Sequence, residues 1–179
     1  MPAESVTLVD PDDHPLGTME KLRAHLEGRL HRAFSVFVFD GAGRLLMQRR
    51  AASKYHSAGL WSNTCCGHPR PDEPVDLAAP RRLHEEMGFH AELRPLFRFV
   101  YRAQIAPAMV EHEVDHVLVG AFRGTVAPDP AEVEAWDWID LEVLARAIAR
   151  RPEAYTAWLR ILMENEGHRR ALEQAAGSR

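Results

Sequence analysis

The residues of this chain best suited to move protons or hold a cation are a thiol, several imidazoles and a pair of strand carboxylates. Asn63-Thr64-Cys65-Cys66-Gly67-His68-Pro69 sets a thiol and an imidazole two positions apart, and Arg81-Arg82-Leu83-His84-Glu85-Glu86-Met87-Gly88-Phe89 follows. Helical spacing puts Arg82 and Glu86 four apart on one face, with Arg81 and Glu85 paired beside them. Taken alone, those four residues describe a solvated helix with two ion pairs. Glu111 and Glu113 are two apart on an expected strand, so both side chains leave from the same face. Two like charges there need a cation or a proton to coexist. With His25, His31 and His68 they form a candidate ligand set of three imidazoles and two carboxylates. Such a set of five suits a six-coordinate ion such as Mn²⁺, Mg²⁺ or Fe²⁺, with Zn²⁺ plus bound water as the alternative.

Local patterning says which elements must carry these groups. Residues 33–39 and 44–50, joined by Asp40-Gly41-Ala42-Gly43, read as a β-hairpin. Further strands are expected at residues 97–105, 113–122 and 136–139, and helices at 141–150, 152–164 and 167–176. Pro80 lacks a backbone donor and is tolerated only near a first turn, so the central helix is expected to start between Asp76 and Ala79, capped by Asp76, and to end at Gly88. Mixed strands around one central helix, with helices gathered at the C-terminus, predict an α/β (α+β) fold, a mixed-sheet α/β/α sandwich with additional C-terminal helices. Pro128-Asp129-Pro130 marks a loop, and with no repeat or linker in sight residues 1–179 are expected to form a single domain.

Composition narrows the partners. The chain has 179 residues, 46% hydrophobic, enough for a substantial core. Its 22 basic and 26 acidic residues give no basic field, which argues against nucleic acid. A small anionic substrate must then be held by a local cluster of cations. Adjacent Cys65 and Cys66 are poorly placed for a structural disulfide and fit a reducing compartment. Neither a membrane-length apolar run nor a signal pattern is present, so the expectation is a cytoplasmic protein without a membrane partner, a monomer or weak dimer.

The helix motif resembles the Nudix box: a glycine, five residues, a glutamate, seven residues, then Arg-Glu-apolar-x-Glu-Glu-x-Gly-apolar. Gly67, Glu73, Arg81, Leu83, Glu85, Glu86, Gly88 and Phe89 match it. Arg82 stands where the pattern has glutamate, so a cation replaces one of the usual metal-binding carboxylates. That exchange weakens the alternative reading of the chain as a Nudix diphosphate hydrolase, which also leaves Cys66, His68 and Glu111 without a task.

Over about residues 6–172 the chain is similar to the type 1 isopentenyl diphosphate isomerases, a Nudix-fold family of isoprenoid synthesis. The marks are Gly17-Thr18-Met19-Glu20-Lys21, Leu30-His31-Arg32-Ala33-Phe34-Ser35, Arg49-Arg50-Ala51-Ala52-Ser53-Lys54, Trp61 to Pro69, Tyr101-Arg102-Ala103 and Val110-Glu111-His112-Glu113-Val114. The resemblance implies that Cys66 is catalytic and that Cys65 is structural. It implies movement of a double bond in a five-carbon diphosphate, which needs an acid and a base on opposite faces of the substrate. Cys66 and Glu113 are the expected pair, with Tyr101 hydrogen-bonded to the carboxyl and the giver and taker unassigned. The same resemblance puts Trp158 beside the carbocation-like centre, where an aromatic face attracts a cation without bonding to it. Lys21, Arg50, Lys54 and Arg82 match phosphate-binding positions, and Glu86 would hold Mg²⁺ bridging to the diphosphate. His25 and His31 are six apart, one fewer than in family members, which makes His25 the least regular ligand. His112 is expected to face away from the site.

Overall fold

A computed structural model describes residues 4–177. In chain order the elements are β1 (Ser5–Val9), β2 (Pro15–Glu20), α1 (Lys21–Glu27), β3 (His31–Phe39), β4 (Leu45–Arg50), β5 (Trp61–Ser62), β6 (Cys65–Gly67), α2 (Val75–Met87), β7 (Leu93–Ala106), β8 (Met109–Ala121), β9 (Val133–Ile139), α3 (Leu141–Arg150), α4 (Ala157–Glu164) and α5 (Glu166–Gly177). The nine strands form one mixed sheet with β3 at its centre. Strand β3 runs parallel to β8 from His31↔Glu113 to Phe39↔Ala121, and β7 flanks β8 antiparallel. On its other side β3 meets β1 at Leu8↔His31 and β6 at residues 34–36.

Alternation along β3 builds a layer on each side of the sheet. Phe34, Val36 and Val38 pack with Leu118 against Ala78, Ala79, Leu83 and Met87 of α2. Phe37 and Phe39 pack with Val117 and Val119 against Leu144, Ile148, Leu159, Leu162 and Leu172 of α3, α4 and α5. This is the expected α/β/α sandwich with C-terminal helices. Among the described residues no helix is long and apolar enough to cross a membrane.

Several local expectations need correction. Strands β3 and β4 do not form a hairpin ladder: they pair only at Phe39↔Leu45, beside the turn, and then diverge. Strand β4 instead pairs with β9 over most of its length and with β5 at its end. A central strand needs partners on both edges, and distant strands outcompete the adjacent one here. Helix α2 begins at Val75 with Pro74 as its cap residue and no side-chain cap bond, so Asp76 is a first-turn acid and not the cap. Pro80 is accommodated inside the helix, five residues after its start. The helix ends at Gly88 as expected, with φ +75°, and a Cβ there would collide with the Ala127 carbonyl. The helix expected over 152–164 is broken: a 3₁₀ turn at Pro152–Ala154 precedes Tyr155, which bridges Trp61, and α4 starts only after Thr156. The β1–β2 hairpin, α1, β5 and β6 had no sequence counterpart.

Candidate active site

The thiol-bearing and acid-bearing strands meet beside β3. Strand β6 pairs with β3 at Ser35↔Cys66, and β8 pairs with it at His31↔Glu113. Pairing through β3 therefore sets Cys66, Glu113 and His31 around one end of the sheet. Cys66 and Glu113 open on a cavity of about 230 Å³ whose lining also includes His68, Tyr101, Glu111 and Trp158. Lys21, Arg50, Lys54, Arg82 and Glu86 face the same cavity.

Buried imidazoles form one cluster. His25 Nδ1 donates to the Lys21 carbonyl at 2.7 Å and His31 Nδ1 to the Arg29 carbonyl at 2.8 Å. A carbonyl only accepts, so both hydrogens sit on Nδ1 and both Nε2 atoms present lone pairs. His31 Nε2 lies 3.2 Å from His68 Nε2 and 3.4 Å from Glu113 Oε1, and His68 Nε2 lies 2.9 Å from that oxygen. His25 Nε2 is buried with no hydrogen-bond partner, in a ring 5.0 Å from that of His31. One ligand atom from each of His25, His31, His68 and Glu113 falls within 4.8 Å of all the others. Burial lowers the pKa of His25 and brings that of His68 to about 4, which leaves both rings neutral as ligands require. An orphaned imidazole nitrogen beside two more and a carboxylate fits a divalent cation.

Glu111 departs from the expected set of five. It groups with His25 and His56, its Oε1 3.8 Å from His56 Nε2, while Tyr101 holds its other oxygen. The Tyr101 hydroxyl lies 2.6 Å from Glu113 Oε2 and 2.9 Å from Glu111 Oε2. Burial, then the Glu113 charge, pushes Glu111 well above the usual carboxylate range. Burial works against Glu113 too, but the His31 and His68 imidazoles set against its carboxyl outweigh burial and hold it well below the range. Tyr101 thus donates to an ionised Glu113 and accepts from a protonated Glu111, which is how two like groups share one strand face. Burial, then the charge of Asp115, raises the Cys66 thiol to about 12. Asp115 continues the acidic face of β8, hydrogen-bonded by Ser35 at 2.8 Å and raised to about 8 by burial and then by Glu113.

Each cation at the mouth already has an anionic or aromatic partner. Lys21 Nζ pairs with Glu4 at 2.9 Å, and Lys54 pairs with Glu132. Arg82 bonds Glu85 at 2.7 Å, Glu86, and Glu132 at 3.5 Å. The Arg50 guanidinium lies 5.4 Å from the Trp158 ring centroid. Glu86 is buried, held by Arg82 and by Gln48 Nε2 at 3.0 Å, and no cluster of convergent donors among the described residues includes it. The α2 helix is therefore more than a solvated ion-pair ladder: Arg81 bonds Glu73 and Glu85 outside, whereas Arg82 and Glu86 turn in. His112 does face away, its Nδ1 donating to the Gly28 carbonyl at 3.1 Å, and Cys65 is fully buried. Trp158 is at once a core residue and a cavity wall.

Sequence reasoning missed His56, Glu4, Glu132 and Asn63. His56 is buried, and burial followed by the Arg50 charge lowers it to about 3. Its position two residues after Lys54, in the same loop as a phosphate-binding candidate, was the available signal.

The NUDIX domain profile matches residues 29–159. An isopentenyl-diphosphate Delta-isomerase of Burkholderia multivorans is 59% identical over 164 residues, 92% of this chain and 93% of that one. One of Serratia proteamaculans is 50% identical over 92% of both chains. Among solved structures, one from Deinococcus radiodurans superimposes with a TM-score of 0.75 at 22% identity, covering 90% of this chain and 98% of that one. A MutT NUDIX hydrolase of Burkholderia pseudomallei gives 0.60 at 25% identity, covering 76% and 98%.

Proposed function

This chain belongs to the NUDIX domain family and, within it, to the isopentenyl-diphosphate Delta-isomerases, and we propose that it converts isopentenyl to dimethylallyl diphosphate through proton transfers at Cys66 and Glu113. The observation that carries this reading is the meeting, in one cavity, of a free thiol, an ionised carboxylate and an indole, beside a Nudix helix whose expected glutamate is Arg82.

The alkene gains a proton at its terminal methylene, passes through a tertiary carbocation-like state and loses a proton from carbon two. One of Cys66 Sγ and Glu113 gives and the other takes; the reverse reaction exchanges the roles. Tyr101 fixes the Glu113 carboxyl with a bond of 2.6 Å. The Trp158 ring stabilises the developing charge and, having no lone pair to offer, does not trap it. Lys21, Arg50, Lys54 and Arg82 hold the diphosphate, whose oxygens take over from Glu4 and Glu132 as their partners. His25, His31, His68 and Glu113 would hold Mn²⁺ or Mg²⁺, with Zn²⁺ or Fe²⁺ as alternatives, and Glu111 would complete the set by turning from His56. Such an ion offsets the paired carboxylate charge, and Mg²⁺ beside Glu86 would neutralise diphosphate oxygens. Displacing a pyrophosphatase carboxylate with Arg82 suits binding a diphosphate without cleaving it.

The chain acts as one catalytic domain on a small diphosphate, and its two free cysteines suit the cytoplasm. Proton NMR of the protein with isopentenyl diphosphate, Mg²⁺ and Mn²⁺ in deuterated water tests the reading. Dimethylallyl diphosphate carrying solvent deuterium is expected. Release of phosphate or isopentenyl monophosphate would restore the hydrolase alternative.

A further inference from the structure

Asn63 lies between β5 and β6 with none of its surface exposed. Both hydrogens of its amide are engaged, since Nδ2 donates to the Val36 carbonyl and to the Cys65 carbonyl, each at 3.0 Å. Those carbonyls fix the amide's orientation, because a flipped amide would turn its oxygen towards two acceptors. Oδ1 must then face the cavity wall. It accepts the Cys66 thiol at 3.0 Å, the Trp158 Nε1 hydrogen at 3.2 Å and the Ser62 hydroxyl at 3.1 Å. The indole hydrogen is shared with Ser62 Oγ at 3.0 Å, which Thr156 at the start of α4 also contacts at 3.3 Å.

Other oxygens stand further from the sulfur. Ser35 Oγ is 3.7 Å away and gives its own hydrogen to Asp115, and Ser62 Oγ is 3.9 Å away. One carbonyl oxygen thus bonds two groups that sequence reasoning assigned to different steps, the thiol that exchanges a proton and the indole that faces the cation.

We propose that Asn63 is a positioning residue for the isomerisation, its side-chain oxygen fixing the Cys66 sulfur relative to the Trp158 ring. An amide oxygen suits this task because it accepts hydrogen bonds without taking the proton, so it aims both groups and competes with neither. Its leverage comes from reach: a misplacement near 1 Å at reacting atoms lowers rates about 100-fold. The proposal rests on the isomerase reading, since it assigns Asn63 a part in that reaction.

The test is Asn63→Ala and Trp158→Phe beside wild type, reading kcat, KM for isopentenyl diphosphate and the infrared S–H stretch of Cys66, isolated by subtracting the Cys66→Ala spectrum. In Asn63→Ala kcat is expected to fall about 100-fold with KM unchanged, and the S–H band to move to higher frequency as its acceptor is lost. Trp158→Phe is expected to lower the band, since the oxygen then serves the thiol with one competitor fewer. Wild-type kcat in folded Asn63→Ala, or a band indifferent to either substitution, overturns the proposal. Should Asn63→Ala fail to fold, the wild-type band decides alone: a frequency typical of a thiol without an acceptor refutes the assignment. Wild-type protein that makes no dimethylallyl diphosphate refutes the isomerase reading instead, and the band remains readable.

Discussion

Replacing Arg82 by leucine should separate what this guanidinium does for folding from what it does for substrate. The arginine is 22% exposed and reaches Glu85 at 2.7 Å, Glu86, and Glu132 at 3.5 Å, and Glu86 itself is 6% exposed. Without it Glu86 keeps the Gln48 amide at 3.0 Å and the Cys65 thiol, both weaker partners than a guanidinium. Breaking a buried pair by removing one partner costs about 3–5 kcal/mol. Arg82 borders the open cavity, so water admitted beside Glu86 reduces the cost to about 2 kcal/mol, and the exposed Glu85 end adds less than about 1 kcal/mol. For a chain of this size that lowers Tm by about 4–8 °C. A charge-assisted bond to the diphosphate is worth about 1.5–3 kcal/mol, so KM should rise about 10- to 100-fold, with kcat largely kept because Arg82 is assigned to the diphosphate and not to the alkene. Thermal unfolding by circular dichroism and initial rates by NMR read the two effects. Arg81→Leu is the control: its pairs with Glu73 at 2.7 Å lie outside the cavity, so stability should change without KM. An unchanged KM in Arg82→Leu, or a collapse of kcat at constant KM, would refute the reasoning.

Cys66→Ala and Glu113→Gln should each abolish isomerisation while diphosphate affinity measured by calorimetry stays near wild type; turnover at the normal rate in either removes that residue from the chemistry. His56 has a folded pKa of about 3 against 6.5 unfolded, so between those values the unfolded chain binds the extra proton and stability falls as pH drops. The loss is on the order of 5 kcal/mol, and Tm of chelator-treated His56→Asn should depend less on pH over that window than wild type does. Asp115 has the opposite shift, from 3.8 to about 8, so it destabilises increasingly as pH rises through that interval. Asp115→Asn should therefore gain on wild type by a few kcal/mol between pH 4 and 8 in denaturant titrations; a pH-independent difference would count against a buried neutral carboxyl. Dialysis against a chelator should lower Tm and activity together, and His25→Ala should retain less metal by elemental analysis than wild type.

Much of this was legible from local sequence. The alternating β3 residues and the apolar faces of α3 and α5 declared themselves, because each is set by a period the chain carries within a few residues. Partner choice was not legible. That β4 leaves β3 after Phe39↔Leu45 for β9 depends on Val133–Ile139, far along the chain. Strands of two and three residues, β5 and β6, have too little pattern to read, yet they carry Ser62 and Cys66. Helix α1 starts at Lys21 with Glu20 as its cap, accepting from Leu22 and Arg23, a residue type outside the usual cap set. The site residues drawn from the family resemblance were brought to one cavity or to the imidazole cluster beside it, while their partners Glu4 and Glu132 came from segments whose motifs gave no reason to look at them.

The two layers of the sandwich divide the substrate between them. Arg82 and Glu86 reach the cavity from α2 on one side of the sheet, whereas Tyr101 and Trp158 belong to the cluster on the other. Arg50, 5.4 Å from the Trp158 ring, touches both ends directly, but Arg82 and Glu86 pack in a different layer from Tyr101 and Trp158, so substitutions across those two pairs should combine almost additively. A lineage can then revise how it treats the charged head, exchanging glutamate for arginine on the helix, without disturbing the apparatus around the hydrocarbon tail. Such separability lets one scaffold serve either for cutting diphosphates or for moving a double bond in the hydrocarbon attached to them.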